Sequence, residues 1–151
     1  MQISISNTIR GFQYGGGTPA FSFLLDAYPN ADAAYSVRKL SSTYSGNAIR
    51  VRRSSDNTES NIGFVNNVLD TATLLAFCGV GSGFVTTWYD QSSVGRNAVQ
   101  SIATSQPIIV LNGVLYVENG LPTLFFNGLS SAKDLPFTGI VADTNLSTFI
   151  V

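Results

Sequence analysis

Residues 108–128 read IIVLNGVLYVENGLPTLFFNG: short apolar runs cut by Asn112-Gly113, Asn119-Gly120 and Asn127-Gly128. A type I′ hairpin turn needs φ > 0 at both central positions, which glycine adopts freely and asparagine tolerates. Runs this short are strands rather than helices, and Asn112-Gly113 marks the clearest hairpin. Upstream, Ala48 to Arg53 alternates Ile49 and Val51 with Arg50 and Arg52, the pattern of a half-buried strand. Ser54-Ser55-Asp56-Asn57 supplies turn chemistry after it. Phe84 to Tyr89 is rich in β-formers, and FSFLLDAY (21–28) reads as a buried strand.

Two short helices interrupt this pattern. The first starts at Asp32 as N-cap, sets Ala33, Ala34, Val37, Leu40 and Tyr44 on one face and closes at Gly46. The second begins at Asp70, carries Leu74, Leu75, Phe77 and Cys78, and runs into Gly79, Gly81 and Gly83. The predicted class is mainly β with two short helices, a concanavalin-like or jelly-roll sandwich over residues 21–151. Leu146 to Val151 reads as a strand just begun, so the sandwich is expected to be incomplete in this chain. Residues 1–20 form an extended arm with Ile3, Ile5 and Ile9 at strand-like positions and Gly15, Gly16 and Gly17 as a joint. Such an arm suits strand addition to a neighbouring subunit; a frayed terminus is the competing reading.

Composition bounds the chemistry. The chain has 151 residues, enough for one domain with a real core. Hydrophobic residues make up 44% and charged residues only 11%, so polarity comes from Ser, Thr, Asn and Gly, the currency of β turns. Net charge is −1, which gives no global attraction for nucleic acid. Five of the eight basic residues cluster as Arg38, Lys39, Arg50, Arg52 and Arg53, and pairing with Asp56, Glu59 and Asp90 is the expected use for them. One cysteine, Cys78, rules out an intrachain disulfide. The absence of histidine excludes histidine triads, histidine metal sites and a histidine general base. No metal or other cofactor is predicted, and no apolar run approaches the roughly 18 residues of a membrane span. The first 17 residues lack the apolar core of a signal peptide.

Three stretches together resemble a known family. AAYSVRKLSSTYSGNAIRVRRSSDNTESNIGF (33–64), LDTATLLAFCG (69–79) and FVTTWYDQSSVGRNAVQ (84–100) are similar to the first part of the alpha-L-arabinofuranosidase B catalytic domain, glycoside hydrolase family 54. Tyr89-Asp90-Gln91-Ser92 is the most specific element. ENGLPTLFFNG (118–128), with a later strand at 147–151, resembles the opening strands of laminin-G and concanavalin-like lectin domains. The resemblance also implies a module found in bacterial-surface and phage proteins, where it need not be catalytic. It further implies that the catalytic Glu nucleophile and Asp acid/base lie downstream of Tyr-Asp-Gln-Ser, so no residue here inherits either role. Two departures stand out: Gly79 to Gly83 replaces a stretch where the family has a second cysteine, and Ser93 replaces a glycine.

Among the acids, Asp32 and Asp70 read as helix caps and Asp56 as a turn residue. Asp90, after an apolar strand and beside Trp88 and Tyr89, is the most suggestive carboxyl; an ion pair with Arg50 or Arg52 is the structural alternative. Trp88, Tyr89 and Asp90 are the candidate glycan-binding residues. Tyr35, Tyr44 and Tyr116 are further aromatic faces, although strand aromatics are mostly core. GVGSGF (79–84) precedes a strand and lacks Lys-Ser/Thr, so it is a tight turn and not a phosphate loop. Three functions follow as expectations. The first is a non-catalytic structural or attachment protein of a phage virion, such as a fibre, decoration or receptor-binding module. It would form a homo-oligomer, docking on neighbouring subunits through Ile3, Ile5 and Ile9, with host glycans as further partners and neither nucleic-acid nor membrane binding. The others are part of a secreted arabinofuranosidase and a cell-surface or extracellular glycan-binding lectin.

Overall fold

The computed structural model describes residues 23–126 and 133–136. The arm with Ile3, Ile5 and Ile9, and the strand expected at 146–151, lie outside these residues. At Asn112-Gly113 the backbone takes φ values of 50° and 78°, and at Asn119-Gly120 the same pair recurs. These turns join β7 (Ile108–Leu111) to β8 (Val114–Leu115) and β9 (Val117–Glu118) to β10 (Leu121–Pro122). Both hairpins are where the asparagine-glycine pairs place them.

The main sheet is antiparallel and is built around β1 (Ile49–Arg53) and β5 (Gly83–Trp88). β2 (Glu59–Ile62) flanks β1, while β7 and β8 continue beyond β5, and β6 (Ala98–Val99) pairs with the far end of β5. The register shifts between Arg50 and Val51, leaving Thr86 as the extra residue of a bulge. β3 (Phe64–Val65) and β4 (Val68–Leu69) form one small ribbon, and β9 with β10 another. Mainly β architecture is as expected; the second full sheet of a jelly roll is not among the described residues.

Burial follows the alternation in β1. Ile49 and Val51 are fully buried while Arg50 is exposed. Their face is covered by α2 (Thr71–Cys78), whose Leu74 and Cys78 join Ile62, Val85, Ile109 and Val110 in one core. Asp70 caps α2, accepting from the Thr73 N–H at 3.0 Å, as predicted. The Cys78 sulfur packs so closely on the sheet that a β-carbon at Gly83 would sit 2.7 Å from it. That contact, rather than a turn, is why position 83 is glycine. Gly79 closes the helix at φ 57°, and the Gly81 N–H bonds the Cys78 carbonyl in the tight turn.

Two expectations fail. Of the strand predicted at 21–28, the described residues 23–28 instead hold a single helical turn, α1 (Leu24–Ala27), which buries Leu25. The helix expected from Asp32 to Gly46 does not form; the segment is irregular. Its backbone groups are bonded to distant partners: Leu25 N–H to Leu40 C=O, Leu69 N–H to Val37 C=O and Lys39 N–H to Asn67 C=O. Asp32 is no cap, because its carboxylate pairs with Arg96 at 2.9 Å.

Candidate functional site

Where β5 leaves the sheet, the chain runs straight into Tyr89-Asp90-Gln91-Ser92, and two of these side chains turn inward. Asp90 is 4% exposed and Gln91 3%. Asp90 Oδ1 accepts the N–H groups of Ala34 and Ser92, each at 2.8 Å. Its Oδ2 accepts the Ser92 hydroxyl and the Arg96 N–H, each at 2.7 Å. Burial pushes this carboxyl's pKa upward, but the bonds from Ser92, Ala34 and Arg96 outweigh it and hold the group below its ordinary value. The ion pair expected between Asp90 and Arg50 or Arg52 is absent; the carboxylate instead accepts from peptide N–H groups and the Ser92 hydroxyl.

Gln91 completes the clamp. Its Oε1 accepts the Leu40 N–H at 2.7 Å, and its Nε2 donates to the carbonyls of Ser36 and Arg38 at 3.0 and 2.9 Å. The Gln91 N–H also bonds the Ala34 carbonyl. Segment 34–40 is therefore pinned at both ends by two adjacent side chains of another segment. Such buried networks are stabilising only when every member is satisfied, and here each named group has its partner.

The stretch that follows the pinned segment, residues 41–46, forms one wall of a cleft of about 510 Å³. Ser41, Thr43, Tyr44 and Gly46 line that wall; Leu25, Asp26 and Pro29 line a second; Gln91, Ser92 and Ser93 form the floor. Tyr44 is rigidly placed. Its hydroxyl donates to the Asn47 carbonyl at 2.8 Å, and its ring meets Phe64 edge-on at 6.3 Å. Burial, with the negative charge of Asp90, raises its pKa, so the phenol stays neutral. Asp26 accepts the Ser42 N–H at 3.0 Å and the Ser41 hydroxyl at 3.2 Å, both on Oδ1. The Ser42 bonds chiefly, with Ser41 and the Lys39 charge, hold its carboxyl below the ordinary value against a burial penalty.

The three predicted glycan-binding residues stand beside this cleft without lining it. Trp88 packs on Tyr35, ring centres 5.8 Å apart, and against the core; its indole N–H is buried without an acceptor. The Tyr89 hydroxyl donates to Asn61 at 2.8 Å. Both oxygens of Asp90 are engaged by the bonds above. Of the further aromatics, Tyr44 is in the cleft and Tyr35 bonds the Arg96 carbonyl. Tyr116 stacks on Phe125 at 4.5 Å. Sequence reasoning gave no site role to Gln91, Asp26 or Ser41. For Gln91 the available signal was three consecutive hydrogen-bonding side chains where an apolar strand ends; Asp26 and Ser41 carried none.

The arginine cluster pairs only partly as expected. Arg50 meets Glu59 and Arg53 meets Asp56. Arg52 instead bonds two amides, Gln106 and Asn57, and lies over the Phe84 ring at 4.8 Å. Among the described residues no group of three or more His, Cys, Asp or Glu could hold a metal ion, and no helix is long and apolar enough to cross a membrane.

Residues 26–110 match the family model for "Alpha-L-arabinofuranosidase B, catalytic". No curated protein matches the chain. Two solved structures of glycoside hydrolase family 54 alpha-L-arabinofuranosidases are each 32% identical to it, with a TM-score of 0.42. One was soaked with a cyclic sulfate inhibitor; the other, a mutant, with 4-nitrophenyl alpha-L-arabinofuranoside. Each match covers 45% of this chain and 15% of the other, so the chain spans only a small fraction of those proteins' length.

Proposed function

We propose, from the premise that this chain belongs to the alpha-L-arabinofuranosidase B catalytic family, that it builds the early strands and one cleft of a carbohydrate-active domain directed at arabinofuranosides. One observation supports this most: the matched residues 26–110 contain the whole clamp and every cleft-lining residue except Leu25. The part of the chain that is alike is the part that shapes the cleft. Hydrolysis of a glycoside takes two carboxyls, about 5–5.5 Å apart for retention or 6.5–9.5 Å for inversion. The described lining contributes one, Asp26. In this reading the acid and nucleophile come from elsewhere in the working protein, and Asp90 and Gln91 position the cleft wall. An extracellular location belongs to the same proposal. Turnover of 4-nitrophenyl alpha-L-arabinofuranoside by the full-length protein tests it. Release of nitrophenolate is expected; a folded protein with no turnover on any furanoside would remove the enzymatic reading.

A second reading is a non-catalytic attachment module, on a virion or a cell surface. Its homo-oligomeric assembly through Ile3, Ile5 and Ile9, and its virion location, rest on the sequence alone. Light scattering of the intact protein distinguishes the two: a defined oligomer supports the attachment role, and a monomer at high concentration speaks against it.

A further inference from the structure

We propose that Asn119 is a site of spontaneous deamidation and isoaspartate formation, and that Asn112, in the same dipeptide, is shielded from it by the fold. The chemistry needs only water and does not depend on the carbohydrate reading above. The Gly120 peptide nitrogen attacks Asn119 Cγ; an N–C bond forms, the Cγ–Nδ2 bond breaks, and ammonia leaves with the Gly120 amide proton. Water then opens the cyclic imide. Addition at Cγ gives aspartate, and addition at the Asn119 main-chain carbonyl gives isoaspartate, whose backbone is longer by one methylene. Glycine is the residue best suited to follow, because it has no β-carbon to hinder the attacking nitrogen.

Asn112-Gly113 serves as an internal control. It has the same φ values as Asn119-Gly120, 50° and 78°, and each pair closes a two-residue hairpin. Their surroundings differ. The Gly113 N–H is bonded to the Gly81 carbonyl at 2.8 Å, so its nitrogen is committed. The Asn112 N–H donates to Ser82 Oγ at 3.0 Å, and the Ser82 hydroxyl donates back to Asn112 Oδ1 at 3.4 Å. The strands below this turn belong to the main sheet, where Val110 is fully buried.

Asn119-Gly120 has none of this support. Among the described residues, none is hydrogen-bonded to the Gly120 N–H or to the Asn119 amide. The β9–β10 ribbon holds two residue pairs, Glu118 with Leu121 and Val117 with Pro122, and the proline brings no N–H. Val117 and Leu121 are exposed. A ribbon with so few bonds and so little burial opens at low free energy, and opening lets the side chain reach the next nitrogen. The product sets a new carboxylate beside Glu118, and the lengthened backbone no longer fits a two-residue turn.

The test is incubation of the full chain at mildly alkaline pH and body temperature. Site-resolved peptide mass spectrometry follows it, with electron-transfer fragmentation to separate isoaspartate from aspartate. Asn119 should convert to both, isoaspartate in excess, at least about tenfold faster than Asn112. In denaturing urea the two sites should react at similar rates, because each is followed by glycine. Ser82→Ala should speed the reaction at Asn112 several-fold and leave Asn119 unchanged. Asn119→Gln should stop it at that position, since the larger ring closes far more slowly. An Asn119 that stays intact, equal rates at the two sites in the folded chain, or a rate difference undiminished in urea would overturn the proposal. So would an unaltered Asn112 in a folded Ser82→Ala protein; if that variant does not fold, the urea comparison decides alone.

Discussion

The sheet with α2 and the segment from 31 to 47 have comparable sequence signals and opposite fates. Both show apolar residues at regular spacing, and both have an acidic residue where a helix should start. At Asp70 the carboxylate turns back onto its own helix, reaching Thr73. At Asp32 it reaches away to Arg96; the Ala34 N–H, which a cap would take, goes to Asp90, and the Leu40 N–H, which a helix would bond internally, goes to Gln91. Periodicity reports which face is apolar. It does not report where the backbone finds its hydrogen-bond partners, and a buried polar side chain from a distant residue can decide that instead.

The two regions should respond differently to substitution. The largest effect belongs to the sheet core: Leu74→Ala, at a fully buried position, should cost about 3 kcal/mol. Denaturation followed by fluorescence and by circular dichroism should show the whole molecule weakened together. Asp90→Asn comes next, at about 2 kcal/mol, because a charged acceptor of four donors becomes a neutral one with a competing amide. Its pH dependence separates it from a packing effect. A carboxyl held below its ordinary pKa of 3.8 in the folded state contributes fully above that value. The contribution falls away as the pH drops below 3.8 and through the folded pKa. The gap between wild type and Asp90→Asn, from urea melts at pH 5 and pH 3, should therefore shrink at the lower pH. A gap independent of pH would mean that the charge is irrelevant.

Gln91→Ala should cost about 1–2 kcal/mol, with the change concentrated in the pinned segment: faster proteolysis between residues 34 and 46, and the core strands unaltered. Glu59→Gln should be the smallest, below about 0.5 kcal/mol, because the Arg50–Glu59 pair leaves 45% and 33% of its side chains exposed. A salt titration of the melting temperature checks it, and little dependence is expected.

Legibility follows the same division. The hairpins were readable because Asn112-Gly113 and Asn119-Gly120 act locally, and β1 because Ile49 and Val51 alternate with Arg50 and Arg52. α2 was readable from its cap and its glycine stop. The 31–47 segment was misread because its structure is imposed from residues 90 and 91, more than fifty positions away. For the site, the sequence drew attention to Tyr89-Asp90-Gln91-Ser92 and named Tyr44 among several aromatics. It favoured Trp88, which packing against Tyr35 keeps largely within the core. Asp26 carried no signal, because only the fold brings it to Ser41 and Ser42.

The central claim is that two side chains, and not a helix, hold the segment that leads into the cleft wall. Amide hydrogen exchange at Ala34 and Leu40 tests it most directly, since those N–H groups bond Asp90 and Gln91. Protection at both amides, lost at Ala34 alone in Asp90→Ala and at Leu40 alone in Gln91→Ala, is the predicted result. Exchange at the rate of an open loop in the wild-type protein, or protection untouched by either substitution, would contradict it.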